Sequence, residues 1–197
     1  MDTMLLVATG NAHKFEEIRA ILGSCAPNLL SLNKLPSYVE PTEDSQTFEG
    51  NALIKALAGL QATGLPTLAD DSGLEVAALN GAPGVRSARY AGIHGDSAAN
   101  NAKLLRELAG QSDRRARFRC AVVLALPGLA PQTFIGEVRG RILEEPAGAG
   151  GFGYDPLFVP EGFDRTFSEL PSEVKNRLSH RAMALKALRD SGALGRL

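Results

Sequence analysis

Met4-Leu5-Leu6-Val7-Ala8 is a short unbroken apolar run, the pattern of a strand buried on both faces. The polar stretch Thr9-Gly10-Asn11-Ala12-His13-Lys14 ends it. A helical period then sets in, with Phe15, Ile18, Ile21 and Leu22 on one face and Gly23 as its stop. Leu29 to Leu35 reads as a second strand. Pro36 to Asp44, with two prolines and the acids Glu40, Glu43 and Asp44, reads as an acidic loop. Helical spacing returns from about Thr47 to Ala62, where Phe48, Ala52, Ala56 and Leu60 form the apolar face and Gly64 the stop. Asn51 and Lys55 lie one turn apart on a second stripe of that helix.

Leu65-Pro66-Thr67 leads into Leu68-Ala69-Asp70-Asp71-Ser72-Gly73, which reads as a buried strand ending in a tight glycine turn. Leu74 to Leu79 continues to the turn signal Asn80-Gly81. A helix is expected from about Ala98 to Leu108, capped by Asp96 or Ser97 and ended at Gly110. Arg117 to Leu126 and Thr133 to Val138 read as an antiparallel pair around Pro127-Gly128, with Arg141-Ile142-Leu143 as an extension. The last helical region runs from about Ser172 to Asp190, with Val174, Leu178, Ala182, Leu185 and Leu188 facing the core. Ser179 either lies inside it or caps a fresh helix starting at His180; the pattern leaves both open.

Composition narrows the class. In 197 residues, 44% are hydrophobic and 22% charged, the profile of a globular domain with a sizeable core. Basic and acidic residues number 21 and 22, a balance that argues against a nucleic-acid polymer as partner. Cys25 and Cys120 lack metal-like spacing and read as reduced core thiols of a cytoplasmic protein. No apolar run reaches membrane-span length, and the first residues do not read as a signal peptide.

Candidate chemistry falls at the breaks in the pattern. Adjacent carboxylates such as Asp70 and Asp71 repel one another, so the stretch is either a solvated Asp-Asp-Ser-Gly turn or a strand end where a cation holds the pair. Regular strand geometry sends them to opposite faces. Thr9 to Lys14, between a strand and a helix, is a plausible anion cradle because the first amides of a helix lack intrahelical partners. It lacks the spacing of a Walker A loop. A lysine inside a helix, such as Lys55, either reaches water or meets an anion. Gly148 to Phe158 interleaves glycines with Phe152 and Tyr154 and fixes Asp155 before a proline. That suits stacking on a planar ligand, or else a tight turn whose rings plug the core. Lys175, His180 and Arg181 concentrate hydrogen-bond donors.

Six motifs, in order, cover nearly the whole chain: Thr9-Gly10-Asn11 with Lys14, Glu49-Gly50-Asn51-Ala52 with Lys55, and Ala69-Asp70-Asp71-Ser72-Gly73 are the first three. Gly81-Ala82-Pro83-Gly84 with Ser87-Ala88-Arg89-Tyr90, Gly151-Phe152-Gly153-Tyr154-Asp155-Pro156, and Ser179-His180-Arg181 complete them. In these the chain resembles the Ham1-like family of inosine/xanthosine triphosphate pyrophosphatases. The resemblance implies an α/β fold: one domain over residues 1–197, with a long mixed sheet flanked by helices, in two lobes with the active-site cleft between them. It implies magnesium-dependent hydrolysis of ITP, dITP and XTP to the monophosphate and pyrophosphate, by a homodimer. Asp71 is then the proton acceptor, Glu43 and Asp71 the metal ligands, and Asp70 a supporting residue. Thr9, Gly10, Asn11, Ala12, His13, Lys14 and Lys55 are the implied phosphate contacts. Ser72, Phe152, Gly153, Tyr154, Asp155, Lys175, His180 and Arg181 are the implied contacts to the rest of the nucleotide. Whether Asp71 or a metal-bound hydroxide is the base stays open. The alternatives are a Maf-like pyrophosphatase acting on other nucleotides, and a non-catalytic nucleotide-binding module.

Overall fold

The computed structural model of the chain describes residues 4–26 and 28–197. Six strands form one mixed sheet in the order β2-β1-β3-β4-β5-β6. The strands are β1 (Leu5–Val7), β2 (Leu29–Ser31), β3 (Thr67–Val76), β4 (Arg115–Ala125), β5 (Gln132–Ile142) and β6 (Phe158–Pro160). β1 runs parallel to β2, with Leu6 opposite Leu30, and parallel to β3, with Val7 opposite Leu68. β5 and β6 pair antiparallel, with Arg141 opposite Val159. Helices α1 (Ala12–Leu22), α2 (Phe48–Thr63), α3 (Ser97–Glu107), α4 (Ser172–Leu178) and α5 (His180–Asp190) flank the sheet.

The chain divides into two compact units. The first comprises Met1–Asp71, Cys120–Gly136 and Arg181–Leu197, three of whose N-terminal residues and Pro27 lie outside the description. Its core joins Leu5, Val7, Ile18, Leu22, Leu68, Val122, Leu124, Leu185 and Leu188. The apolar run of β1 is thus buried on both faces, as its lack of alternation demands. Cys120 is fully buried here, whereas Cys25 is exposed in a 3-10 turn, so only one of the two thiols belongs to the core.

The second unit comprises Ser72–Arg119 and Glu137–His180. Leu74, Val76, Leu104, Leu108, Ile142, Leu157 and a set of rings, Phe118, Tyr154, Phe158 and Phe167, make its core. Phe118 meets Phe158 edge-on at 4.8 Å, and Phe158 stacks on Phe167 at 5.3 Å. Such pairs add about 0.5–1.5 kcal/mol beyond the area they bury.

Several boundaries depart from the pattern. β2 stops at Ser31, whose side chain accepts from Asn33 N–H and starts a 3-10 turn over Leu32–Lys34. β3 does not turn at Gly73 but runs through it to Val76, because Leu68, Leu74 and Val76 on either side are all fully buried. α1 begins at Ala12, capped by Asn11, so Lys14 lies in its first turn. The C-terminal helical region is broken at Ser179, which is extended (φ −66°, ψ 157°), and α5 starts afresh at His180.

Candidate active site

In the first unit, β3 presents its two carboxylates to different partners. Asp70 Oδ2 receives Lys14 Nζ at 3.2 Å and Arg181 through NH2 at 3.0 Å and Nε at 3.2 Å. Arg181 NH1 also pairs with Glu17 on α1. The Asp70 and Arg181 side chains are each only 1% exposed. A charge so deeply buried persists only when paired and hydrogen-bonded. Burial by itself pushes the Asp70 carboxyl up, but Lys14, Arg181 and Lys55 outweigh it and hold it well below the ordinary range. These partners favour the anion of Asp70 and make it a poor proton acceptor. The Cys120 thiol lies 3.9 Å from it, and burial with the Asp70 charge pushes that thiol up to about 12.

Asp71 sits differently. Asn51 Nδ2 donates to its Oδ2 at 3.1 Å, and Lys55 Nζ stands 3.8 Å from its Oδ1. Burial raises its carboxyl, Lys55 and Lys14 oppose, Glu43 reinforces, and the net displacement is upward. The Lys55 ammonium is pulled down by burial but carried up overall by Asp71, Asp70 and Glu43. Glu43 Oε2 lies 2.9 Å from it, so the acidic loop closes on α2. Thr47 caps α2 through Gly50 N–H, which orients the helix so that Asn51 and Lys55 both face inward. The sequence places Asn51 on a stripe with Lys55 and in the Glu49-Gly50-Asn51-Ala52 motif, without a partner; here its Oδ1 accepts from Ser45 N–H at 2.9 Å, locking the amide toward Asp71.

The loop before α1 is more committed than an open cradle. Asn11 Oδ1 accepts from the N–H groups of His13 (2.9 Å) and Lys14 (3.2 Å), and Asn11 N–H donates to Thr9 Oγ1. Thr9 N–H donates to Val7 O. Among the described residues, the N–H groups of Gly10 and Ala12 remain without a partner. Glu40 Oε1 rests against Gly10 so closely that a side-chain carbon there would collide with it.

In the second unit, Lys175 Nζ pairs with Asp155 Oδ2 at 2.7 Å, both side chains being buried. The same oxygen accepts from Phe152 N–H at 2.8 Å. Asp155 fills the space beside Gly151, whose φ of 73° and close approach exclude a side chain. Phe152 is half-buried, with the Lys175 ammonium 4.6 Å from its ring centroid. His180 stacks on Phe118 at 4.8 Å with the planes 12° apart.

Two of the expected contacts have partners within the protein. Tyr154 is 4% exposed in the aromatic core, and its hydroxyl donates to Ser87 O at 2.9 Å. Its ring plugs the core, the other reading its glycine-rich setting allowed. Arg181 was expected among the base-reading donors; the structure engages its guanidinium with Asp70 and Glu17. Gly153 contributes its carbonyl to Asn101 Nδ2 at 3.0 Å, and Ser72 continues β3 as a half-buried strand residue.

The Ham1 family profile matches residues 5–191. The chain is 53% identical over 190 residues to the dITP/XTP pyrophosphatase of Geobacter sulfurreducens, covering 95% of this chain and 96% of that protein. It is 51% identical over 189 residues to the dITP/XTP pyrophosphatase of Nocardia farcinica, covering 93% and 92%. Its structure resembles the Staphylococcus aureus Ham1 protein with a TM-score of 0.88 at 36% identity, over 99% of this chain and 100% of that one. The HAM1 protein of Coxiella burnetii gives 0.88 at 39% identity, with the same coverage.

Proposed function

The chain belongs to the Ham1 family, and we propose that it hydrolyses the non-standard purine triphosphates dITP, ITP and XTP to the monophosphate and pyrophosphate. The observation that carries the chemistry is the unequal partnering of two adjacent carboxylates. Asp70 is locked between Lys14 and Arg181, while Asp71 is held by the Asn51 amide with Lys55 3.8 Å away, which favours the anion at Asp70 more than at Asp71. Pairs of titratable groups pushed apart by their surroundings mark acid–base assignments.

Asp71 is the proton acceptor. A water attacks the α-phosphorus; its oxygen bonds to phosphorus, its proton passes to Asp71, and the bond to the bridging oxygen of pyrophosphate breaks. Asn51 aims the carboxylate through Oδ2. Lys14, Lys55 and the amides of Gly10 and Ala12 hold the pyrophosphate and offset the charge that grows on it. Asp70, with Arg181 and Glu17 behind it, fixes the Lys14 ammonium.

The donor set suits magnesium. Glu43 and Asp71 share one cation, the Lys55 ammonium, at 2.9 and 3.8 Å. Among the described residues no three acidic, histidine or cysteine side chains converge. Two carboxylates, with waters and phosphate oxygens completing the shell, are what that ion takes. Glu43 and Asp71 would hold it, and it would supply positive charge to the polyphosphate oxygens.

Base choice follows from Phe152, Lys175 and His180. Hypoxanthine and xanthine carry a 6-keto acceptor where adenine has a donor, and Lys175 supplies a donor; guanine shares the 6-keto group, so this contact discriminates against adenine and not against guanine. A site built to hydrogen-bond rejects a ligand lacking the partner by ~10⁴ or more. The enzyme works as a homodimer in the cytoplasm, a reading that sedimentation and cell fractionation test.

Product analysis decides the activity. With added magnesium, dITP, ITP and XTP should release pyrophosphate and not orthophosphate, with dATP, dUTP and TTP far slower. Preference for a pyrimidine triphosphate would move the protein to the Maf-like reading; no release at all would leave a binding module.

A further inference from the structure

The acidic loop carries a group that the proposed reaction does not use. Tyr38 follows a turn closed by its own N–H on Leu35 O at 2.9 Å. The residue is half-buried, but its hydroxyl is wholly buried and has no hydrogen-bond partner among the described residues. Leaving a buried hydroxyl unpaired is costly, and a phenylalanine would fill the same space without that cost.

Its surroundings are chemically uneven. Two residues on, Glu40 places its carboxylate against Gly10; five residues on, Glu43 places its own on Lys55. The same short segment therefore lays negative oxygens on two of the groups assigned to phosphate, the glycine loop and the helix lysine. The charges that act on the Tyr38 hydroxyl are those of Glu40 and Lys55; with burial acting first, they leave the phenol above its ordinary value, a donor at all working pH. An idle donor thus lies in the same short segment whose Glu40 and Glu43 carboxylates rest on the glycine loop and on the Lys55 ammonium.

We propose that Tyr38 is a further phosphate-binding residue, its hydroxyl donating to an oxygen of the polyphosphate held by the Gly10 and Ala12 amides and Lys55. The proposal rests on the phosphate reading of this cluster. Like charges oppose the Glu40 carboxylate and an incoming phosphate at Gly10, so binding moves Glu40 aside and gives the hydroxyl its acceptor.

Tyr38→Phe separates this role from a packing one. In the full chain, the KM for dITP and the inhibition constant of inorganic pyrophosphate should both rise about tenfold, the size of a hydrogen bond to a charged acceptor. Inhibition by free inosine should be unchanged, and the thermal midpoint should hold or rise. A variant whose KM and pyrophosphate inhibition lie within twofold of a working parent overturns the assignment of Tyr38 and leaves the pyrophosphatase reading standing. A parent that neither cleaves dITP nor binds pyrophosphate overturns both.

Discussion

Around Asp70 and Asp71, charge is answered by charge: two aspartates and Glu43 and Glu17 are interleaved with Lys14, Lys55 and Arg181. Around Phe152, one ion pair, Lys175 with Asp155, is set against rings. The first arrangement suits a ligand of high charge density, since an entering polyphosphate can exchange places with carboxylates on the same cations. The second suits a flat ligand with few polar edges, for which stacking area and one or two hydrogen bonds decide the fit. On the proposed function, the contrast assigns chemistry to the first cluster and selectivity to the second.

The sharpest way to break that division is at Asp71. Asp71→Asn keeps the shape and removes the proposed proton acceptor, and turnover of dITP should fall by up to about 10⁴-fold while substrate still binds. A variant with near-parental turnover would transfer the role of base to another group.

Arg181→Met asks whether the charge cluster depends on its buried brace. It leaves Asp70 with one cation fewer in the core, and breaking a buried pair from one side costs about 3–5 kcal/mol. Urea unfolding should register that loss. Retention of stability, with lost discrimination between dITP and dGTP, would instead make Arg181 a reader of the base.

Lys175→Ala probes the other cluster. The KM for dITP should rise about tenfold, while inhibition by pyrophosphate should not move. Equal losses for both ligands would erase the proposed division of labour.

The smallest effects concern pH. Asp70, held low, adds stability that is complete above the unfolded aspartate value of ~3.9 and is lost as pH falls toward its folded value. Asp71, held high, works the other way: its favourable contribution is present below ~3.9 and is lost as pH rises through its folded value. Between about pH 3 and about pH 7, the unfolding free energy of Asp71→Asn should therefore shift in the variant's favour relative to the parent, and that of Asp70→Asn against it. The acid limb of kcat/KM should lie above that of an ordinary aspartate.

Local pattern carried much of the fold. β1 shows as an unbroken apolar run, and α1, α2 and α3 are long or periodic, with caps, Asn11, Thr47 and Asp96, whose side chains bond to the first amides of a helix. β6 was missed because three residues ending in Pro160 carry no period. The passage of β3 through Gly73 was hidden for a different reason: the partner that neutralises Asp70, Arg181, lies 111 residues away, so the local stretch looks too polar for a buried strand. Asp71, Lys55 and Lys175 could be picked out from residue type and resemblance. The brace of Glu17, Arg181 and Asp70 could not, because it is assembled by tertiary packing alone.

The unequal placement of the two thiols has a practical consequence. Cys120 is sealed in the core with its thiol pushed up to about 12, so at neutral pH it offers almost no thiolate. Cys25 is open to solvent on a turn distinct from both clusters' side chains. The native chain thus carries a ready single-site attachment point, at which a maleimide dye or spin probe reports on ligand-induced motion without any engineered cysteine.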